Sequence, residues 1–155
     1  MMTRLICEVL KALTGKSLVT AESCTGGGIG AALTSVAGSS AVYKGGVISY
    51  TNWVKESLLS VNREVLEKFG AVSAPVAEAM ALGARKLLQA DVAVSVTGLA
   101  GPGGDEQGNP VGTIFIGYSD SSVTKSVACY FTGDRETIRN QAVETALQII
   151  LDYNT

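Results

Sequence analysis

Histidine is missing altogether from this 155-residue chain, and that absence narrows the chemistry more than any residue present. A Ser-His-Asp triad is excluded, and so is a Cys-His dyad. A zinc site built on imidazole is excluded as well. The three cysteines, Cys7, Cys24 and Cys129, are scattered and offer no Cys-x-x-Cys pair for a metal cluster. An odd number of unpaired cysteines points to a reducing cytoplasm rather than a disulfide framework. No run approaches the ~20 continuous apolar residues that cross a bilayer. The opening MMTRLICEVLKALTGKS carries Glu8 and Lys11 inside its apolar pattern, so it reads as an amphipathic helix and not as a signal peptide. A net charge of −2 supplies no general attraction to nucleic acid or anionic lipid.

What is present is a globular composition, 46% hydrophobic and 17% charged, over a length that suggests one domain, residues 1–155. Leu5, Ile6, Val9, Leu10 and Leu13 recur at helical spacing. SLVTA (17–21) is a short β-rich run. A helix is expected from Thr25 to Val36, although Gly26, Gly27, Gly28 and Gly30 each cost it roughly 1 kcal/mol against alanine. Such a cost suggests backbone held close to a strand or a ligand. GGVISYT (45–51) alternates as a strand, followed by helices from Asn52 to Ser60 and over NREVLEKFG. Ser73, Pro75 and Glu78 start another helix that runs to about Gln89. DVAVSVTG (91–98) reads as a strand buried on both faces. The loop GLAGPGGDEQGNP follows, then two strands joined around Asp120-Ser121-Ser122. A final helix begins near Thr132 or Asp134, both candidate caps. Early alternation of helix and strand with a late antiparallel pair predicts a three-layer α/β/α domain with a mixed sheet. A doubly wound parallel sheet is the alternative.

Four stretches carry candidate chemistry. In TAESCTGGG, Ser23 lies at a strand-to-helix turn, where unsatisfied N–H groups can hold an oxyanion or phosphate. A serine there is more commonly a plain N-cap. Cys24 is the rival nucleophile. Adjacent residues on an extended turn point in opposite directions, so only one faces a site, and a small buried packing residue is the better reading of Cys24. In SYTNWVK, a lysine is the natural base of a chain without histidine, provided burial depresses its pKa. Of seven lysines, Lys44 and Lys55 flank the strand 45–51. Lys55 follows Tyr50, Asn52 and Trp53 at a strand end, where α/β proteins keep their sites. An exposed helix lysine is the bland alternative. The stretch VTGLAGPGGDEQGNPVG (96–112), which includes Thr97, offers a ligand wall. Arg135 and Arg139, four apart on a helix start, could both reach a phosphate.

Six motifs occur together: TAESCTGG, AGSSAVYKGGVISYTNWVK, GAVSAPV, VTGLAGPGG, PVGTIFIGY and FTGDRETIRNQA. In their order and spacing the chain resembles the C-terminal domain family of the competence-damage-inducible protein CinA, over residues of about 5 to 152. Active members are nicotinamide mononucleotide deamidases. The resemblance implies a serine amidohydrolase with Ser23 as nucleophile, Lys55 as base and Tyr50 as assisting hydroxyl. It implies neither cofactor nor metal, and a small-molecule substrate rather than a nucleic acid or membrane partner. Two-domain members carry a molybdopterin-binding-like domain ahead of this one, so the chain resembles a stand-alone form. N–H groups near Thr25, Gly26 and Gly27 would hold the oxyanion. Asn52, Thr97, Gly98 and Gly101 would line the substrate site. Candidate phosphate donors are Ser39 and Ser40 of the AGSS turn, the 98–104 loop, Arg135 and Arg139. Several apolar strands in a small chain are compatible with a homo-oligomer. The rival class is a non-catalytic nucleotide-binding or scaffold domain that keeps the glycine loops without turnover.

Overall fold

The computed structural model describes residues 2–155, so position 1 of the expected domain lies outside the described residues. The elements, in chain order, are α1 (Met2–Ala12), β1 (Leu18–Glu22), α2 (Gly28–Thr34), a 3-10 turn (Ser39–Ala41), β2 (Tyr43–Ile48), α3 (Asn52–Leu59), α4 (Arg63–Phe69), α5 (Ala74–Leu87), β3 (Val92–Gly98), β4 (Thr113–Ser119), β5 (Thr124–Tyr130) and α6 (Arg135–Tyr153). The five strands form one sheet in the order β2-β1-β3-β4-β5. β1 runs parallel to both β2 and β3, while β4 and β5 continue as antiparallel neighbours. The sheet is therefore mixed, and the all-parallel alternative is wrong. None of the described helices is long and apolar enough to cross a membrane.

Strand alternation sorts side chains onto two faces. Leu18, Val92, Val94 and Val96 pack with Ile6, Ile29, Ala142 and Ile150 of α1, α2 and α6. Val19, Ala21 and Ala93 pack with Leu59, Leu66, Val76 and Met80 of α3, α4 and α5. β1 is buried along its whole length, as a central strand covered on both faces must be. α3 comes very close to α5. A Cβ at Gly83 would collide with the Leu59 carbonyl, so only glycine admits this approach.

Three expected start signals resolve differently. Ser73 takes the N-cap position of α5, yet its hydroxyl donates to the Gly70 carbonyl (2.8 Å) instead of accepting from the helix. Of the two candidates at α6, Asp134 is the cap and accepts from the Thr137 N–H at 2.9 Å. The largest difference is at α2, which begins at Gly28 and not at Thr25. Residues 23–27 form a separate turn. Gly27 caps the helix with a left-handed backbone (φ 101°) that a residue with a Cβ adopts only with strain.

Candidate active site

The carboxyl ends of β1, β2 and β3 lie side by side, and the candidate residues follow directly after them. β1 keeps its pairing one residue past its end, since the Ser23 N–H donates to the Val96 carbonyl at 2.9 Å. The Ser49 N–H likewise donates to the Glu22 carbonyl at 2.7 Å, which extends the β1–β2 pairing. Alternation puts Ser23 on the same face as Val19 and Ala21, the side covered by α3. Glu22 and Cys24 fall on the opposite face, towards α2 and α6.

α3 supplies the base candidate. Thr51 caps it and accepts from the Val54 N–H. Lys55 and Leu59 are four apart and share the inward face. Leu59 anchors that face against α5, and Lys55 is carried in with it to 1% exposure. Its Nζ lies 3.1 Å from the Ser23 Oγ and donates to the Ser49 carbonyl at 2.7 Å. No carboxylate lies in ion-pair range of Lys55 among the described residues. Desolvation disfavours the ammonium, and burial brings the Lys55 pKa down to about 8. The aromatic neighbours do not cause this. Tyr50 is 59% exposed and Trp53 is 73% exposed. Trp53 stands two positions from Lys55, which is roughly 200° around the helix. The packing of α3 on α5, and not an aromatic cover, takes Lys55 out of water.

Cys24 is buried with the α1, α2 and α6 core, and burial pushes its thiol up to about 11. A thiol so shifted is a poor source of thiolate at neutral pH. Ser23, at 8% exposure, is the hydroxyl that meets an amine.

Ser23 and Lys55 open into a cleft of about 470 Å³. Tyr50, Asn52, Thr97, Gly98, Gly101 and Arg135 also line it, as the sequence led us to expect, and so do Cys24, Ala100 and Asp105. The Tyr50 hydroxyl meets neither Ser23 nor Lys55. It accepts from the Arg135 guanidinium (3.3 Å), which also donates to the Gly101 carbonyl at 2.6 Å. A larger cavity of about 820 Å³ adjoins the cleft at Asn52, Ala71, Val72 and Asp105. Ser23 and Lys55 line the smaller cleft and not the larger cavity, so the smaller cleft is the candidate site. No three Cys, Asp or Glu side chains gather in metal-holding range among the described residues.

Other expected ligands are placed elsewhere. Ser39 and Ser40 sit in the 3-10 turn before β2, and Tyr43 pairs with Leu18 at the start of β1. They are at the opposite end of the sheet, roughly 16 Å of strand away from Ser23. Arg139 does not enter the cleft either. Its Nε and a terminal nitrogen donate to the Cys24 and Thr25 carbonyls (3.0 and 3.1 Å), so it braces the turn from outside. The Thr25 hydroxyl is buried and donates to Glu22 at 2.7 Å. The Gly26 N–H is taken by the Ser23 carbonyl, and those of Ile29 and Gly30 by the Glu22 carboxylate. Gly27 borders a groove along β2 and not the cleft. Thus the helix N-terminus expected to receive an anion already holds one of the chain's own carboxylates. Among the described residues, the N–H groups of Cys24, Thr25 and Gly27 donate to no protein acceptor. Cys24, directly after the nucleophile candidate, is the one of these that lines the cleft.

Fold and site together define an α/β domain with a buried serine–lysine contact at the carboxyl ends of its parallel strands. The family model described as CinA C-terminal domain matches residues 2–154, and the chain belongs to that family. A CinA-like protein of Rippkaea orientalis is 49% identical over 136 residues, 86% of this chain and 33% of that protein. A CinA-like protein of Mycolicibacterium vanbaalenii is 44% identical over 146 residues, 92% of this chain and 34% of the relative. The chain thus spans about a third of the length of the curated relatives it matches. Among solved structures, competence damage-inducible protein A (ComA) from Klebsiella pneumoniae superposes with a TM-score of 0.95 at 38% identity, covering 97% of this chain and 95% of that one. The competence/damage inducible protein CihA from Agrobacterium tumefaciens gives 0.95 at 40% identity, covering 99% and 96%.

Proposed function

We propose that this protein is an amidohydrolase that deamidates nicotinamide mononucleotide to nicotinic acid mononucleotide and ammonia through an acyl-enzyme on Ser23. One observation carries the reading: a lysine at 1% exposure, with no carboxylate in ion-pair range among the described residues, 3.1 Å from a serine hydroxyl at the mouth of a cleft. A pKa of about 8 leaves roughly one Lys55 in ten neutral at pH 7, against fewer than about one in a thousand for an ordinary lysine.

The neutral amine keeps one N–H on the Ser49 carbonyl, which turns its lone pair towards Ser23. Lys55 takes the serine proton as Oγ bonds to the carboxamide carbon. The Cys24 amide is the donor best placed for the oxyanion, and one such donor is typically worth ~3 kcal/mol. The C–N bond breaks, and Lys55 returns the proton to the leaving amine, which departs as ammonia. Lys55, neutral again, then takes a proton from water. The resulting hydroxide releases the carboxylate and the proton goes back to Ser23. The positive pyridinium ring disfavours a second cation beside it and so favours the neutral lysine. Arg135 faces the cleft and is the phosphate ligand in this reading; Ser39, Ser40 and Arg139 are not. The reaction is part of pyridine nucleotide salvage and needs no metal.

Ammonia release from nicotinamide mononucleotide by the purified protein, with EDTA present, tests the reading. Stoichiometric ammonia and nicotinic acid mononucleotide are expected. A folded protein that binds the nucleotide without turnover would establish the scaffold alternative.

A further inference from the structure

The Glu22 carboxylate is 2% exposed, and no cation lies in ion-pair range of it among the described residues. A carboxylate is costly to bury and persists only where hydrogen bonds replace its water. Here three do. Oε1 accepts from the Thr25 hydroxyl (2.7 Å) and the Ile29 N–H (2.8 Å), and Oε2 accepts from the Gly30 N–H (3.1 Å). These donors lie three, seven and eight residues downstream. A local cap would have come from position 27, so the bonds of Glu22 close the whole Ser23–Gly27 turn into a loop. Arg139 completes the clamp by taking the Cys24 and Thr25 carbonyls. The Thr25 hydroxyl and two N–H groups of α2 go to a carboxylate, and the Cys24 and Thr25 carbonyls go to a guanidinium.

The backbone of the same residue reaches the other partner. The Glu22 carbonyl accepts the Ser49 N–H at 2.7 Å, and the Ser49 carbonyl accepts Lys55 Nζ at 2.7 Å. Nucleophile and base therefore both hang from position 22, one through the side chain and one through the main chain.

We infer that Glu22 is a positioning residue, whose carboxylate holds the Ser23 turn in register with Lys55 without touching the substrate. The inference rests on the proposed serine–lysine chemistry. Glu22→Gln preserves the shape but turns an NH2 donor towards an N–H donor, since an amide supplies only one acceptor atom. One of the three bonds must break or shift. Misplacement of a reacting group by a fraction of an ångström to one ångström costs rate, up to about 100-fold.

The test measures turnover of nicotinamide mononucleotide and, independently, the rate at which a fluorophosphonate reagent labels Ser23, read by intact mass. For Glu22→Gln we expect kcat and labelling rate to fall together, by about 10- to 100-fold, with KM within about 3-fold. Thr25→Val removes one donor with little change of shape. It should shift both rates the same way by about 3- to 10-fold, and it decides the matter if Glu22→Gln does not fold. A folded Glu22→Gln that labels at the wild-type rate overturns the inference, as does a loss confined to KM. If Glu22→Gln is unfolded, an unchanged labelling rate in Thr25→Val overturns it. Wild-type protein that labels at Ser23 but leaves the nucleotide intact refutes the substrate and not the role of Glu22. Wild-type protein that neither labels nor turns over refutes both.

Discussion

Strand β2 is preceded by Ser39 and Ser40 and carries Lys44 at its N-terminal end. At its C-terminal end it is followed by Ser49 and Lys55, with Ser23 on the neighbouring strand. The residue types are the same and the outcomes are opposite. Lys44 is exposed and its Nζ reaches only the Gln89 carbonyl, at 3.2 Å. Lys55 is shut under α3 and touches a serine hydroxyl. At one end the ammonium is exposed and hydrogen-bonds to no hydroxyl among the described residues. At the other, packing removes the water and the pairing past the ends of β1 and β2 fixes the hydroxyl. The difference lies in the tertiary packing, chiefly in the α3–α5 approach that Gly83 permits.

The largest effects that would sharpen this contrast come from the buried pair. Ser23→Ala and Lys55→Ala should each lower kcat by about 1,000-fold or more, because groups that act as a unit fail together. Lys55→Arg should be as inactive as Lys55→Ala, since a guanidinium stays protonated and cannot take the serine proton. Arg135→Ala, at the cleft wall, should raise KM about 10-fold with kcat changed less, as expected for loss of one charged hydrogen-bonding partner. Cys24→Ala should retain activity within about 3-fold, because the thiol is buried and held protonated. The smallest effect is at the solvated end, where Lys44→Ala should be indistinguishable from wild type in a steady-state assay. A Lys44 variant as damaged as the Lys55 variants would break the comparison.

The same burial has a thermodynamic signature. The Lys55 pKa is depressed in the folded state, so between about pH 8 and the ordinary lysine value the unfolded chain binds more protons. This group's contribution to stability therefore rises with pH across that window and is lowest below pH 8. Urea unfolding of wild type and Lys55→Met, compared at pH 8 and pH 10, should show wild type gaining by about 2 kcal/mol relative to the variant. A difference that does not change with pH would mean that Lys55 is solvated.

Much of this architecture is legible in the chain. The apolar run 91–98 announces a strand covered on both faces, and β3 is one. Missing histidine directs attention to a lysine, and the motif resemblance picks Lys55 over Lys44. Side chain to backbone contacts between distant segments are not legible. Arg139 lies 114 and 115 positions from the carbonyls it braces, so no spacing rule marks it. Ser39 and Ser40 look like ligands only until the sheet register carries them to the far end. The N-terminus of α2 looks open to an anion because sequence periodicity does not show that Glu22 folds back into it. The available signal there was a glutamate closing a short strand, LVTAE, directly before the nucleophile candidate.

The central claim, that a neutral Lys55 activates Ser23, is tested most directly by the pH dependence of kcat/KM for ammonia release from nicotinamide mononucleotide, which reports the groups of the free enzyme. A base must be unprotonated to act, so the account predicts that log kcat/KM climbs with unit slope at low pH, bends at about 8 and is level from there to about 10. A profile that is flat from pH 6 to 10, or one whose bend survives unchanged in an active Lys55→Arg variant, would contradict it.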